Sequence, residues 1–214
     1  ITVRKIFLNQ NNDVCHVKSV RFAPDQAGRR SGAFSGTIRA DDRKTRMETD
    51  PKIRVLFVCL GNICRSPMAE AVFAHLVKQA GLDGRFEIRS AATSHWEVGN
   101  PPHPGTRAVL QQHGIPIDPA KRAVQVRRGE LEQVDYLVAM DYENLVDLRR
   151  LSNGTAHARR LMDFAGPGYP ADVPDPYYTG EFEYVYDLVE AGCKGLMESI
   201  KAGTSSAPKL MDSE

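Results

Sequence analysis

The sequence predicts an α/β fold in which an open parallel sheet of about four strands is covered by helices on both faces. From residue 53 onward, short apolar runs rich in Val, Ile and Phe alternate with longer segments of helical spacing. This alternation is typical of parallel sheets, because parallel strands are joined by helical crossovers that cover the sheet. Ligands of such sheets bind beyond the carboxyl ends of the strands, so we expect a functional site at that edge.

Four segments are expected to form the strands of this sheet. Ile53 to Val58 is a continuous apolar run with β-branched residues, which is typical of a strand buried on both faces. Further strands are predicted at Phe86 to Ser90, Val134 to Met140 and Arg160 to Met162.

Four segments have the spacing of helices. Pro67 to Ala80 carries a proline at an early position, where its missing N–H group costs little. Pro104 to His113 is followed by Gly114, a common residue just beyond a helix end. Helices are also predicted at Glu143 to Leu151 and at Glu181 to Lys201.

Composition excludes several classes of protein. A formal net charge of +1 favours no nucleic-acid partner, and the apolar runs are far shorter than the ~20 residues that span a bilayer. The four cysteines are too sparse for a disulfide scaffold and have no zinc-site spacing. We therefore expect a cytoplasmic protein with free thiols and without a metal, a cofactor or a membrane partner.

The chain divides near residue 50. Residues 1–50 contain ten Lys or Arg against six Asp or Glu and lack sustained hydrophobic periodicity, so we expect them to be mostly disordered. Because Met47 lies just ahead of the first predicted strand, residues 1–46 are interpreted as a leader, a tag or translated upstream sequence. The folded domain is expected over residues 51–202, with a flexible tail over 203–214.

The segment "CLGNICRS", Cys59 to Ser66, directly follows the first predicted strand. Gly61 and Asn62 tolerate unusual backbone angles, and a helix begins after Ser66. Successive N–H groups can therefore turn inward to bind an anion, with the positive end of the helix behind them. The Gly and Lys spacing of nucleotide-binding phosphate loops is absent, which argues against a nucleotide site.

A thiol and a guanidinium distinguish this loop from a simple anion site. Helix N-termini and nearby cations favour thiolates, so we expect Cys59 to be a nucleophile, and Arg65 offers a planar fork for two phosphoryl oxygens. The alternative is a buried structural Cys beside an exposed Arg. Cys15 and Arg21 have the same spacing, but neither a strand nor a loop glycine precedes Arg21 there, so we expect no site.

In these features the sequence resembles the low-molecular-weight protein tyrosine phosphatases of the bacterial type. The resemblance runs from Val55 to about Ile200, through "VLFVCLGNICRSPMAEAVF", "SAATSHWEVGNPPHPGTRAVLQQHGI", "YLVAMDYENL" and "VPDPYYTG", and the first 50 residues have no counterpart. It implies a flavodoxin-like fold and hydrolysis of phosphotyrosine through a phosphocysteine intermediate. Cys59 would attack, Arg65 would hold the phosphate and Asp175 would be the general acid and base.

The resemblance also implies supporting roles. Ser66 would ease the departure of the sulfur, and Asn62 would hold the loop in a left-handed turn within a network that includes Ser90 and His113. For His113, capping of a helix C-terminus is the alternative. Phosphate contacts are expected along the rest of the loop, from Leu60, Gly61, Ile63 and Cys64.

Aromatic side chains are expected to form the substrate cleft, with Trp96 on one wall and Tyr177 and Tyr178 on the other. Two aromatic walls above a deep cradle would favour the flat, long phosphotyrosine over phosphoserine, which would not reach the bottom. Without the resemblance, Trp96 would equally suit a core or an interface. Cys64 would capture an oxidised Cys59 as a disulfide and make the enzyme reversibly sensitive to peroxide.

Three other functions are alternatives to phosphotyrosine hydrolysis. Arsenate reductases of this fold need two further thiols, and only Cys193 remains downstream. Protein-arginine phosphatases carry Thr at the position of Ile63, and a non-catalytic phosphate-binding module would not need Asp175. We therefore expect phosphotyrosine proteins as partners, a bacterial tyrosine kinase among them by analogy, and a monomer with at most weak self-association.

Overall fold

The computed structural model describes residues 52–154 and 157–203 of the chain. In these residues, four parallel strands form one sheet: β1 (Ile53–Cys59), β2 (Phe86–Ala92), β3 (Tyr136–Ala139) and β4 (Ala158–Arg160). The predictions for residues 1–50, including the pair Cys15 and Arg21, and for the tail after residue 203 lie outside the described residues.

The strand order is β2-β1-β3-β4, so the first strand lies in the middle of the sheet. On one side Ile53 pairs with Phe86, and on the other Val55 pairs with Tyr136. A chain that moves from the centre to one edge and then to the other creates a crevice at the carboxyl end of the central strand. This confirms the predicted flavodoxin-like fold and places Cys59 at the crevice.

Helices cover both faces of the sheet. In chain order they are α1 (Arg65–Gln79), α2 (Pro104–Gln112), α3 (Arg128–Leu131), α4 (Tyr142–Leu151), α5 (Pro176–Thr179) and α6 (Phe182–Lys201). Side chains alternate between the two faces of a strand. Val55 and Phe57 of β1 accordingly pack with residues of α1, α2 and α6, whereas Leu56 and Val58 pack with residues of α3 and α4.

The four predicted strands and four longer helices are present, with shifted ends. Helix α1 begins at Arg65, two residues earlier than predicted, because Pro67 lies in its first turn, where no residue needs an intrahelical N–H bond. The last strand is Ala158–Arg160 instead of Arg160 to Met162. The apolar pair that favoured a strand is buried instead in a 3₁₀ turn, Leu161–Phe164.

Candidate active site

The loop between β1 and α1 is shaped mainly by one residue. Asn62 has a φ of 57°, in the left-handed region that Asn tolerates better than most residues. Gly61, which was expected to share that freedom, is outside this region. Its lack of a side chain matters for space, since an added Cβ would lie 3.2 Å from Cγ of Glu97.

The start of the loop is tied to the chain that follows β2. The N–H of Thr93 donates to the carbonyl of Cys59 at 2.9 Å, and both the N–H and the hydroxyl of Ser94 donate to the carbonyl of Leu60. These bonds continue the pairing of β1 with β2 beyond the end of the strands. They hold the thiol at the carboxyl edge of the sheet.

The sulfur of Cys59 is buried and has two hydrogen-bonding partners. The N–H of Asn62 donates to Sγ at 3.2 Å, and the Ser66 hydroxyl lies 3.0 Å from it. The Ser66 oxygen also accepts a bond from Asn62 Nδ2 at 2.8 Å, and its own proton can point either to the sulfur or to the Ala91 carbonyl, 3.4 Å away. The Asn62 N–H is thus a fixed donor to the sulfur, and the Ser66 hydroxyl is a second group that can turn toward it.

The side chain of Asn62 holds the loop in its turn through three bonds. Nδ2 donates to the hydroxyls of Ser66 and of Ser90, the latter at 2.7 Å, and Oδ1 accepts from the N–H of Val124 at 3.1 Å. Both ends of the amide are thus used. The predicted contact of Asn62 with Ser90 is present in the structure, whereas its bond to Ser66 was not predicted.

A charged pair extends this network toward the surface. The Ser90 hydroxyl donates to Oε2 of Glu70 at 2.5 Å, and Nζ of Lys121 lies 2.6 Å from the same oxygen. Neither Glu70 nor Lys121 was predicted. The sequence could have indicated Glu70 as a member of this network, because residues four apart lie on the same helix face and Glu70 is four residues after Ser66. No such indication existed for Lys121, which lies in an irregular segment.

His113 is not brought to the network, contrary to expectation. Its Nε2 lies 2.6 Å from Oε1 of Glu183, and its ring stacks on Tyr186 with centroids 3.7 Å apart. His113 is the C-cap residue of α2, and its side-chain partners Glu183 and Tyr186 both lie on α6. The capping alternative therefore describes its position better than the network role.

Arg65 is the cation of the site and is 4% exposed. Its Nη2 donates to Asp175 Oδ2 at 2.7 Å, while Nη1 donates to Asp141 Oδ2 and to the carbonyl of Val173. Burial opposes its charge, but Cys59, Asp175 and Asp141 together raise the pKa of the guanidinium above its usual value. Arg65 is thus a permanently charged fork oriented by two carboxylates.

Asp141 is a site residue that the sequence interpretation missed. It lies two residues beyond the end of β3, and its Oδ1 caps α4 by accepting from the N–H of Asn144 at 2.7 Å. The available signal was its position, since an acid just beyond a parallel strand lies at the same sheet edge as Cys59.

Asp175 occupies the N-cap of α5, with Pro176 as the first residue of that helix. One carboxylate oxygen accepts from the N–H of Tyr177 at 3.1 Å, and the other accepts from Arg65. The cap bond fixes the side chain over the cavity. Helix α5 is a single turn and was not predicted, because one turn carries no hydrophobic period.

A cavity of about 200 Å³ opens above the loop. Trp96, Tyr177 and Tyr178 border it and are 69%, 56% and 77% exposed, so their faces are available to a planar ligand. The remaining lining residues are predicted site residues except for Glu97: Cys59, Leu60, Gly61, Ile63, Cys64, Arg65, Glu97 and Asp175.

The amino end of α1 adds a positive environment to this cavity. Its N-cap residue, Cys64, supplies no side-chain cap, and the first turn contains no acidic residue. The first N–H groups of the helix are therefore available to a bound anion. Cys64 itself is a buried thiol, and burial, with smaller effects of Asp175 and Cys59, raises its pKa to about 12.

Other kinds of site have less support in the described part of the chain. Within it, no group of three or more His, Cys, Asp or Glu side chains could hold a metal ion. No helix among these residues is long and apolar enough to cross a membrane.

A flavodoxin-like sheet that delivers a buried thiol to an anion cradle, with an arginine and a carboxylate in the same cavity, is the architecture of a phosphoric monoester hydrolase. Residues 54–206 match the model of the family described as low molecular weight phosphotyrosine protein phosphatase, and the chain belongs to this family. It is a hydrolase of the protein-tyrosine-phosphatase class.

Individual relatives agree with this assignment. The chain is 49% identical over 151 residues to the low molecular weight protein-tyrosine-phosphatase YfkJ of Bacillus subtilis, covering 70% of this chain and 96% of YfkJ. It is 39% identical to PtpA of Staphylococcus aureus, over 69% of this chain and 94% of PtpA.

Two solved structures are also similar. The crystal structure of YfkJ matches with a TM-score of 0.70 and 47% identity over 72% of this chain and 98% of that one. The crystal structure of DARP, a Drosophila arginine phosphatase, matches with a TM-score of 0.65 and 30% identity over 70% and 98%.

Proposed function

We propose that this protein hydrolyses phosphotyrosine in proteins through a phosphocysteine intermediate. The observation that carries the proposal is one cavity in which Cys59, Arg65 and Asp175 lie between exposed aromatic side chains. The curated relatives named above are protein-tyrosine-phosphatases, which supports the same substrate class. By this proposal its partners are cytoplasmic phosphotyrosine proteins, with a bacterial tyrosine kinase as a candidate.

In the first step the Cys59 thiolate attacks phosphorus in line with the tyrosyl oxygen. The phosphoryl oxygens take the positions nearest Arg65 and the N–H groups of the loop and of α1, which match their charge. As the bond between phosphorus and the tyrosyl oxygen breaks, protonated Asp175 gives its proton to that oxygen. The products are tyrosine and phosphocysteine.

In the second step the Asp175 carboxylate takes a proton from a water molecule, whose oxygen attacks phosphorus. The bond between phosphorus and sulfur breaks, and inorganic phosphate leaves. The thiolate that departs accepts from the Asn62 N–H and from the Ser66 hydroxyl, which lie 3.2 Å and 3.0 Å from the sulfur. The same carboxylate thus serves first as acid and then as base.

The walls of the cavity favour an aryl phosphate. A phosphotyrosine ring would lie between Trp96 on one side and Tyr177 with Tyr178 on the other, where aromatic faces pair well. Phosphoserine is shorter and lacks a ring, so its phosphate would not reach the buried sulfur with comparable contact.

Phosphoarginine is the second candidate substrate, because one similar structure is that of an arginine phosphatase. Ile63 argues against it here. Its side chain lines the cavity and packs with Cys64 and Ala123, so the loop presents an apolar group where arginine phosphatases present a hydroxyl. Arsenate reduction would need a thiol relay, and Cys193 is fully buried against the carbonyl of Ala69.

Peptides of identical sequence that carry phosphotyrosine or phosphoarginine test the proposed substrate. We expect kcat/KM to be at least about tenfold higher for phosphotyrosine, since an aryl ring packs against the aromatic walls and the apolar Ile63 gives the N–H groups of a phosphoguanidine no acceptor. Phosphate release measured on both peptides provides the comparison. Equal or inverse preference would contradict the proposed substrate class.

Cys64 is expected to protect the nucleophile from peroxide. Peroxide converts the Cys59 thiolate to a sulfenic acid, and the Cys64 thiol then forms a disulfide with it and releases water. Since the pKa of Cys64 is raised to about 12, its thiolate fraction and the rate of disulfide formation should rise about tenfold per pH unit below that value.

Recovery of activity after peroxide and then dithiothreitol measures this protection. The parent should regain activity, whereas Cys64→Ser should lose it irreversibly as sulfinic acid accumulates. Cys193→Ser is the matched control, because Cys193 is equally buried but does not line the cavity. Full recovery of Cys64→Ser would show that Cys64 has no protective role.

A further inference from the structure

Behind one aromatic wall of the cavity lies a group of rings that the reaction does not use. The imidazole of His103 stacks on Phe182, with centroids 4.9 Å apart and planes 7° apart. The same imidazole meets the ring of Tyr177 edge-on at 6.0 Å. His103 thus lies between the first residue of α6 and a wall of the substrate cavity.

The main chain of His103 is bonded to the phosphate loop. Its N–H donates to the carbonyl of Ile63 at 2.8 Å. Its Nδ1 accepts from the N–H of Gly105 at 3.1 Å, which makes His103 the N-cap of α2. His103 therefore makes two contacts. Its backbone is bonded to the phosphate loop, and its side chain touches the aromatic wall of the cavity.

The ring of Phe182 gives this arrangement a rigid support. Phe182 packs against the cluster of Ile63, Cys64 and Ala123, so it is held by the phosphate loop itself. Gly105 is needed for the approach, because an added Cβ would lie 2.5 Å from the Phe182 ring. The stacked imidazole is thereby confined on one face and bonded at its edge.

Tyr177 has little other support in the described structure. Its ring is 56% exposed, and besides His103 the described ring that contacts it is that of Tyr178, which is 77% exposed. An exposed tyrosine would otherwise sample several rotamers. Contact with a confined imidazole restricts that freedom on the side facing the loop.

We propose that His103 is a positioning residue for the aryl ring of the substrate. It holds Tyr177 at a set distance from the phosphate loop, so that a phosphate seated in the cradle places its ring against a wall that is already ordered. The proposal rests on the proposed phosphotyrosine activity, and it assigns His103 a role in affinity for the ring, with none in the chemical step.

Two substitutions separate this role from simple helix capping. His103→Asn keeps a good N-cap but removes the stacked ring, whereas His103→Phe keeps a ring and removes the cap. We expect His103→Asn to raise KM for a phosphotyrosine peptide about threefold to tenfold, with kcat within about twofold of the parent. Its inhibition constant for inorganic phosphate should not change, because phosphate occupies only the cradle.

The variant His103→Phe should show the reverse pattern of effects on KM and on stability. His103→Phe should keep a near-parental KM and lower the melting temperature by about 2–4 °C, the effect of losing one cap in a domain of this size. If His103 only caps the helix, the Asn variant would match the parent in every measurement. If the parent is active, that result would overturn the proposed role of His103 and leave the proposed phosphotyrosine activity intact.

A double-mutant cycle with Tyr177→Ala provides the decisive comparison. Because His103 is proposed to act through Tyr177, adding His103→Asn to Tyr177→Ala should leave KM unchanged. An equal increase in both backgrounds would overturn the proposal. If the parent does not hydrolyse phosphotyrosine, the proposed function and the role of His103 both fail. If the parent is active and the cycle shows equal effects, only the role of His103 fails.

Discussion

Replacing Cys59 with Ser is expected to reduce kcat for p-nitrophenyl phosphate on the order of 10⁴-fold or more, as removal of a nucleophile does in other covalent mechanisms. A serine hydroxyl is not ionised at neutral pH, so no anion would attack phosphorus. The oxygen would still accept from the Asn62 N–H and bond to the Ser66 hydroxyl, so the loop should keep its shape. The loss would therefore be chemical and not structural.

Binding measured beside turnover makes this result interpretable. Calorimetric titration of Cys59→Ser with a phosphotyrosine peptide should still show binding, because Arg65 and the loop amides are intact. Cys193→Ser, which alters a buried thiol outside the cavity, should retain parental turnover. Substantial hydrolysis by Cys59→Ser would refute the proposed nucleophile, and a parent that binds but never hydrolyses would be a binding module.

The residues predicted best from sequence are those that follow a strand or begin a helix. Cys59 follows an apolar β-branched run, and the loop composition after it points to an anion cradle. Asp141 lies two residues beyond β3 at the same sheet edge, yet nothing local says which way its carboxylate turns. Strand ends can be predicted to lie together, but the pairing of their side chains depends on rotamers that only the packed fold sets.

Contacts between side chains of distant segments were predicted least well. His113 was expected beside Asn62, but an aromatic neighbour on α6 and an acid hold it at the helix end. The position near Ser90 is taken by Glu70 and Lys121, a charged pair joined across 51 residues. The spacing of residues along one helix or strand does not predict which residue of a distant loop contacts that element.

Apolar composition also proved ambiguous where segments are short. The sequence predicts a strand that includes Leu161 and Met162 because they are apolar. They are buried as expected, but in a 3₁₀ turn packed near α6. A few apolar residues identify burial without deciding between helical and extended backbone. The longer elements carry enough repeats to make that decision.

A bound phosphate would compete with Asp141 and Asp175 for the guanidinium of Arg65. In the structure the guanidinium donates to Asp141 and to Asp175, so a phosphate that binds through the same fork displaces or adjusts at least one of them. Asp141 is also held by its cap on α4 and Asp175 by its cap on α5. Of the two, Asp175 lines the cavity and lies next to the incoming anion.

Replacing Asp175 with Asn should therefore have two opposite effects. The value of kcat/KM for a phenyl phosphate should fall by about 10² to 10⁴, because an amide gives no proton to the leaving oxygen. Binding of inorganic phosphate should become tighter, because the amide does not repel the anion and leaves Arg65 free to bind it. Asn still caps a helix, so α5 should remain folded.

A series of aryl phosphates with different leaving groups measures the first effect. The loss in kcat/KM should be largest for phenols of high pKa, which need the proton, and smallest for nitrophenols, which leave as anions. Asp141→Asn is the matched control, because it keeps a cap and removes a charge from Arg65 but no proton donor. In Asp141→Asn the loss in kcat/KM should be similar for every leaving group. If Asp175→Asn also showed a uniform loss, Asp175 would only position Arg65 and would not be the proton donor.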